Sequence, residues 1–254
     1  MAFGLLMGFA ATKIFHMEKD SGTVFSLSSS MTNIGSIGSL VAFLILGEQA
    51  FALVPFYKLF EEAWIYGLCF PIAAGVRARQ GNGTQNQAVS SLDFQGTGFK
   101  LARLLKDPMI FLSLAALGSG LALNASGIPR PELFRTLNVW IVPSGVFLVL
   151  VSIGMKIPKS RKKIPRPLFF SFLGIRLILI PAFSLALASL LGLPALPDQT
   201  AFKVAILLSF MPTAFASLIP PVVYGLDFGL SFSLWLVSNL TLVGTLPLLW
   251  IFLR

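Results

Sequence analysis

The sequence has few charged residues, a single cysteine and a single histidine. Charged residues make up 11% of the 254 residues, against about 25% in an ordinary soluble domain. The lone Cys69 excludes a disulfide framework and a cysteine-based metal site. The lone His16, which we expect to be solvated in a polar loop, leaves no candidate Ser-His-Asp set. A Gly-rich phosphate loop followed by Lys-Ser or Lys-Thr is also missing. We therefore expect no enzyme, no catalytic residue, no metal and no cofactor.

Long apolar runs fill the sequence instead, and 56% of the residues are hydrophobic. A helix that crosses a hydrocarbon core of ~30 Å needs about 20 mostly apolar residues. The sequence therefore predicts an all-α polytopic membrane protein, in the lipid bilayer, with about eight transmembrane helices. The eight runs are roughly 1–15, 28–46, 50–75, 108–126, 135–157, 167–191, 201–225 and 229–253.

The basic residues are placed as in a membrane protein and not as in a nucleic-acid-binding protein. If the loop at 156–166 is cytoplasmic, alternation of the eight runs puts 13 of the 19 Lys and Arg residues on the cytoplasmic side and four outside or at that interface. Such a bias sets membrane orientation. It predicts both termini outside, and we expect no nucleic-acid partner.

The segment from Gln80 to Gly98 is polar and Gly-rich, which is typical of a flexible linker. It divides the chain into an N-terminal three-helix part at 1–77, a cytoplasmic linker at 78–106, and a C-terminal five-helix part at 107–254. We expect the two parts to be related repeats.

An internal match supports this relation. The second run ends at Gly47-Glu48, and the seventh ends at Gly225 with Asp227 close behind. Matching the two glycines, 178 residues apart (225 − 47), also matches Ser39 with Ser217. Three helices between the starting points of the two copies give them opposite orientations, which is the pattern of an inverted-repeat transporter.

Two of the runs are interrupted by residues that disfavour a helix. The second contains two glycines among hydroxyl residues, and the seventh contains Pro212 and then Pro220-Pro221. Broken helices in carriers aim their ends at a substrate near the bilayer midplane; the alternative is a kink with small-residue packing between helices. We predict that the two breaks meet and bind substrate. The residues assigned to substrate binding are Asn33, Gly35, Gly38, Ser39, Pro212, Thr213, Ser217 and Pro220.

Charged residues inside the runs are candidates for ion coupling, because a charge at bilayer depth is costly and faces a cavity or a partner. Lys58 and Glu62 can pair on one helix face, which leaves Glu61 on another flank to bind a coupling proton. The alternative is a purely structural ion pair. Arg176 could neutralise an anionic substrate or pair with one of the carboxylates. Ser238, Asn239 and Thr241 either line the same cavity or, as we favour, form hydrogen bonds between helices.

Taken together, these motifs resemble the auxin efflux carrier family over nearly the whole chain. The matching motifs are Asn33 with Gly35 and Gly38, Leu104 to Pro108, Gly127 to Glu132 with Pro143 and Ile153-Gly154-Met155, Arg176-Leu177 with Pro181, Met211 to Ala214, Tyr224 to Asp227, and Thr245 to Leu248.

The resemblance implies two inverted five-helix halves whose broken helices cross at the midplane, in a homodimer with a mobile transport domain. It implies a secondary transporter in the bacterial inner membrane that moves a small organic anion, such as a dicarboxylate or an auxin-like acid, coupled to a proton or sodium ion. Leu40 stands where the family has Pro, and Ala216 where it often has Asn.

Against the family pattern the first pair of helices is missing, so the first half is incomplete. We expect an upstream frame to encode that pair and the 254-residue form to be inactive alone. The alternatives are a truncated relative that does not transport, or a ligand-binding membrane receptor. A channel fits less well, because none of the runs carries a stripe of charge.

Overall fold

The computed structural model describes residues 1–79, 115, 118–120, 122–123, 125–127, 132–155 and 164–253. Regular structure in these residues is helical, and one isolated β-bridge joins two of the irregular segments. The predicted all-α class is therefore confirmed for this part of the chain. The predicted linker at 80–98, the basic loop at 156–163 and most of the run at 108–126 lie outside the described residues.

Twelve α-helices are numbered here in chain order within the described residues. They are α1 (Ala2–Ile14), α2 (Lys19–Ser30), α3 (Ser39–Leu46), α4 (Glu48–Trp64), α5 (Phe70–Arg79), α6 (Glu132–Met155), α7 (Arg166–Gly174), α8 (Ile180–Leu190), α9 (Thr200–Ser209), α10 (Ile219–Tyr224), α11 (Phe228–Leu240) and α12 (Leu242–Leu253). Wider π-helical turns lie at Ile34–Gly38, Ile65–Cys69 and Ile175–Leu179, and 3₁₀ turns at Leu193–Ala195 and Phe215–Leu218.

Among the described residues, three continuous helices are long and apolar enough to cross a membrane. They are Glu48–Arg77, Arg166–Leu190 and Phe228–Leu253, with 30, 25 and 26 residues. Shorter apolar helices of 10–17 residues are Ala2–Ile14, Ile34–Leu46, Thr200–Ser209 and Phe215–Tyr224. The two interrupted runs thus consist of short helices, as their sequences predict.

Helix α2 begins at Lys19, nine residues before the predicted run at 28–46, and this boundary was wrong for a physical reason. Its residues are too polar to register as an apolar run, yet every residue from Gly22 to Ser30 is buried. The hydroxyl groups of Thr23, Ser26 and Ser29 donate to the backbone carbonyl four residues earlier. Protein therefore surrounds α2, and these three hydroxyl groups are satisfied within the helix.

Small residues let α1 pack directly on α2. A methyl group on Gly4 would lie 2.6 Å from the Ser29 carbonyl oxygen, and one on Gly8 would lie 2.7 Å from Cα of Ser26. Glycines spaced four apart commonly allow such close approach between membrane helices. The α1–α2 hairpin thus brings the C-terminal end of α2 deep into the protein.

The two matched glycines both end a short helix with a positive φ angle. Gly47 (φ 84°) ends α3 immediately before α4, and Gly225 (φ 63°) ends α10. Residues with a side chain rarely adopt such angles, so glycine is favoured at both turns. After the second turn, the Asp227 carboxylate accepts a hydrogen bond from the Leu230 amide (3.0 Å) and caps α11.

The helix ends fall into two groups at opposite ends of the molecule. At one end, the Ser21 hydroxyl donates to Asp227 (2.7 Å), and the Phe70 ring contacts Tyr224. At the other end, the Tyr57 hydroxyl reaches the Ala201 carbonyl oxygen (3.5 Å). This grouping agrees with alternating passage of the chain, and both interrupted segments lie between the two ends.

Candidate functional site

The two interruptions lie against each other as short antiparallel segments. The Asn33 amide donates to the Pro212 carbonyl oxygen (2.8 Å), and the Ala214 amide donates to the Met31 carbonyl oxygen (3.1 Å). Thr32 and Thr213 form the isolated bridge between these two bonds. The predicted contact between the two breaks is therefore present, although about 180 residues separate them in sequence.

Local chemistry explains why each helix stops here. In the second break, Pro212 has no N–H to continue α9 and disfavours helical geometry at the residue before it. In the first break, the Asn33 side-chain oxygen accepts from the amides of Ser36 and Ile37 (both 3.3 Å) and from the Ser36 hydroxyl (2.6 Å). Asn33 thus caps the N-terminus of the helix Ile34–Leu46, as Asn commonly does.

The pairing has local two-fold character. A two-fold rotation that exchanges residues 31–33 with 212–214 maps one of the two hydrogen bonds between the segments onto the other. Asn33 then corresponds to Ala214, and Pro212 corresponds to Met31. The offset at this point is 181 (213 − 32), whereas the two glycine turns are offset by 178 (225 − 47). The first copy therefore has three more residues between its break and its glycine, and the wide turn Ile34–Gly38 accommodates part of this excess.

This offset corrects the predicted match between Ser39 and Ser217. At the breaks, Ser217 corresponds to Ser36 (217 − 36 = 181). The Ser36 hydroxyl donates to Asn33, but Ala214 stands where the second copy would need that asparagine. The Ser217 hydroxyl is accordingly buried and, within the described residues, has no hydrogen-bond partner. The two breaks thus share a backbone geometry but differ in their capping side chains.

Arg176 holds the C-terminal ends of both interrupted helices. Its guanidinium group donates to the Ser29 carbonyl oxygen (3.4 Å), to the Met211 carbonyl oxygen and to the Thr32 hydroxyl (3.1 Å). The residue is 2% exposed. Helix C-termini carry partial negative charge, so a buried guanidinium between two of them stabilises both. The alternative that Arg176 pairs with Glu61 or Glu62 is wrong, since both carboxylates bind another cation.

That cation is Lys58. Its ammonium group lies 2.9 Å from a carboxylate oxygen of Glu61 and 2.9 Å from one of Glu62. The prediction that Lys58 pairs with Glu62 is confirmed, but placing Glu61 on a separate flank was wrong, because a lysine side chain is long enough to reach positions i+3 and i+4 together. We name Lys58, Glu61 and Glu62 the charged triad.

The charged triad touches the first break. A methyl group on Gly35 would lie 2.8 Å from the Lys58 side chain, and α4 packs against the turn Ile34–Gly38. Glu61 and Glu62 are 1% and 5% exposed. Gly35 is thus needed for the close approach of Lys58, so this residue and the triad form one unit.

The other predicted site residues take different positions. Gly38 packs tightly, since a methyl group there would lie 2.8 Å from the Leu208 side chain. The Ser39 hydroxyl donates to the carbonyl oxygens of Gly35 and Ser36 in its own helix. Pro220 is buried in the first turn of α10, where proline is tolerated, so Pro220-Pro221 begin a helix and the break itself lies earlier, at 210–214.

The sequence analysis named Thr213 and Ser238 but missed Ser28 as a partner at the breaks. The Thr213 hydroxyl donates to the Ser28 carbonyl oxygen (3.0 Å), and its amide donates to the Ser238 hydroxyl (2.9 Å). The Ser238 contact agrees with the preferred reading as a bond between helices, whereas Asn239 and Thr241 bond within α11 and its end. The run of serines before Met31 could have indicated this contact, because serine side chains carry hydroxyl groups and are small enough for close packing of the backbone.

Cys69 is buried and His16 is exposed, both as expected. Comparison with models of protein families and with curated protein sequences gave no match.

The pairing of the two breaks predicts a cross-link. In a Cys69→Ser background, Thr32→Cys and Thr213→Cys should form a disulfide on mild oxidation, because directly opposed residues of this bridge type lie about 4.5–5.5 Å apart at Cα. The measurement is a thiol-sensitive mass shift or a gel shift after cleavage in the segment between them. The control pair is Thr32→Cys with Thr200→Cys, which lies 13 residues (213 − 200) before the bridge at the start of α9. Equal cross-linking of both pairs would contradict the contact.

The position of Arg176 predicts a loss of stability on its removal. Arg176→Gln should lower the free energy of unfolding by about 2–4 kcal/mol, since hydrogen bonds from a buried charged donor to two helix ends are lost. Arg166→Gln, an exposed arginine at the start of α7, is the matched control. Thermal unfolding in detergent or lipid measures both variants, and equal melting temperatures would show that Arg176 does not hold the breaks together.

Proposed function

We propose that this chain is a secondary membrane transporter for a small organic anion. The observation that carries the proposal is the backbone pairing of two interrupted helices at Thr32 and Thr213, among long apolar helices. Irregular backbone at bilayer depth is tolerated where protein or a watery cavity satisfies it. Carriers with inverted repeats place their substrate sites at such broken helices.

The repeated order of elements supports the inverted-repeat part of the proposal. Helix, interrupted helix, glycine turn and long helix occur once in residues 2–79 and again in residues 166–253. The local two-fold pairing at the breaks agrees with this order. In this proposal the fold is of the auxin efflux carrier type, with broken helices that cross at the midplane.

The second break is the better place for an anionic group. The N-terminal end of the helix Phe215–Tyr224 has no side-chain cap, whereas Asn33 occupies the equivalent end of the first break. The Ser217 hydroxyl, buried and without a hydrogen-bond partner among the described residues, lies in the first turn of that helix. A substrate carboxylate oxygen there would accept a hydrogen bond from the Ser217 hydroxyl, as the Asn33 oxygen accepts one from Ser36. The partial positive charge of the helix N-terminus would favour the negative charge of the carboxylate.

The remaining assigned residues have supporting roles in this proposal. The backbone pairing of the two breaks is fixed by Asn33, Thr213 and Pro212. The absence of a side chain allows Lys58 to pack on Gly35 and Leu208 to pack on Gly38. The Ser39 hydroxyl hydrogen-bonds within the helix that follows the first break, and Pro220 lies in the first turn of α10, after the second break. With no phosphate loop in the sequence, the energy for transport would come from a gradient of substrate or of an ion.

Transport itself is the first test. The protein expressed from its full reading frame, with any residues encoded upstream of Met1, should exchange labelled small carboxylates in a counterflow assay in liposomes, against a panel that includes dicarboxylates and indole acids. Ser217→Ala should raise the apparent KM about tenfold or more, because a hydrogen bond to a charged group contributes about 1.5–3 kcal/mol. Ala214→Asn should abolish exchange, since the new amide would bond to Ser217 as Asn33 bonds to Ser36.

Ser233→Ala is the matched control, because this buried serine donates within α11 to Gly229 (2.8 Å). Melting temperatures of all variants separate a local effect from misfolding. Saturable binding without exchange would point to a receptor and would contradict a carrier. Normal exchange by Ala214→Asn would refute the assigned anion position.

The orientation in the proposed bacterial cytoplasmic membrane follows from the basic loops, with both termini outside. In a Cys69→Ser background, Asp198→Cys should react with an impermeant maleimide from outside, and His16→Cys only after permeabilisation. Both positions are exposed. The reverse pattern would overturn the orientation, and labelling of both from one side would overturn the alternation of helices.

A further inference from the structure

The charged triad and Arg176 differ in how their charges are balanced. Arg176 carries one positive charge and binds two helix C-termini, each worth about half a negative charge. The ionised triad carries one net negative charge, from one lysine and two carboxylates. It lies at the N-terminus of the helix Ile34–Leu46, which supplies about half a positive charge. The N-terminus of Phe215–Tyr224 supplies about another half.

In the absence of substrate, the charges of Arg176, the charged triad and the four helix ends at the two breaks therefore sum to nearly zero. An anion bound beside Ser217 adds a negative charge that none of these groups offsets. Opposite charges attract strongly where water is excluded, so a buried anion favours the uptake of one positive charge nearby. Arg176 is already engaged by backbone carbonyls, and it cannot gain a proton.

The carboxylates of Glu61 and Glu62 are the groups that can take up this charge. They share one ammonium group, so protonation of one carboxylate still leaves an ion pair with the other. The ion-pair partner of Glu61 within the described residues is Lys58. Among the described elements packed on α4, the segment Ile34–Leu46 carries no ionisable group, α9 carries Lys203, and the turn Ile65–Cys69 carries Tyr66 and Cys69.

A metal cation fits the charged triad less well than a proton. The Lys58 ammonium group already lies within 2.9 Å of both carboxylates, and a sodium ion would have to displace it. A proton needs no further space and no additional oxygen ligands. Contact of Lys58 with Gly35, and packing of α4 against the turn Ile34–Gly38, join the triad directly to the first break.

We propose that the charged triad is the proton site of a proton–anion symporter, in which one proton binds the Glu61–Glu62 pair when the anion binds at the breaks. This inference rests on the proposed function and adds the ion and the direction of coupling. Binding of proton and anion is reciprocal, so each raises the affinity for the other by the same factor. Anion affinity should therefore rise as the pH falls.

The test separates coupling from transport. Counterflow at equal pH on both sides measures the carrier alone, and accumulation driven by an alkaline interior measures coupling. Wild-type protein should accumulate anion up to about tenfold per unit of pH gradient, the limit for one proton per singly charged anion. Glu61→Gln and Glu62→Gln should reduce this accumulation far more than they reduce counterflow. Glu48→Gln, an exposed carboxylate on the same helix, should keep both.

Two outcomes of this assay would overturn the proposal while leaving the carrier intact. One is counterflow without accumulation on a pH gradient, and the other is accumulation that requires sodium. Absence of counterflow would instead count against the proposed function.

If counterflow is absent, infrared spectroscopy still tests whether the charged triad binds a proton. The difference spectrum between acidic and alkaline buffer should contain a protonated-carboxyl band that Glu61→Gln or Glu62→Gln removes and Glu48→Gln retains. A band that both triad variants keep unchanged would overturn the assignment.

Discussion

The interaction on which the crossing depends is that of one buried guanidinium with two helix ends. Without Arg176, the C-termini of α2 and α9 would direct partial negative charges at each other inside an apolar protein. With it, the carbonyl groups of Ser29 and Met211 share one donor, and the antiparallel pairing of Thr32 with Thr213 becomes favourable. The long helix that carries Arg176 widens into a π-helical turn at this residue, which is a common feature of functional sites in helices.

Much of this arrangement could be predicted from the sequence, because several signals are local. Pro212, the glycines at 47 and 225, and the charges inside apolar runs each restrict the backbone or its surroundings regardless of tertiary context. Hydropathy failed for α2, since it measures preference for lipid and this helix is enclosed by protein. The register of the two copies also failed at the breaks, because the first copy has three more residues there, an excess that a wide turn accommodates in part and a linear match does not detect. The joint pairing of Lys58 with Glu61 and Glu62 depends on side-chain reach, which helical angles alone do not describe.

The two breaks show how a symmetric backbone can support an asymmetric site. Both have the same pair of hydrogen bonds, yet Asn33 satisfies the first helix end and Ala214 leaves the second without a side-chain cap. The first copy also carries the charged triad, while the corresponding helix of the second copy places Ser238 on the Thr213 amide. In the proposed carrier, one copy would hold the proton and the other the anion, and the shared backbone bridge would connect them.

The buried, hydroxyl-rich character of α2 has a consequence for biogenesis. Insertion of a single helix by the translocon depends on its partition into lipid, and Lys19–Ser30 has too few apolar side chains for that. In the proposed carrier, this segment would enter the bilayer as a hairpin with α1, whose Gly4 and Gly8 pack directly on Ser29 and Ser26. A neighbouring helix would then cover part of its polar surface before α9 is synthesised.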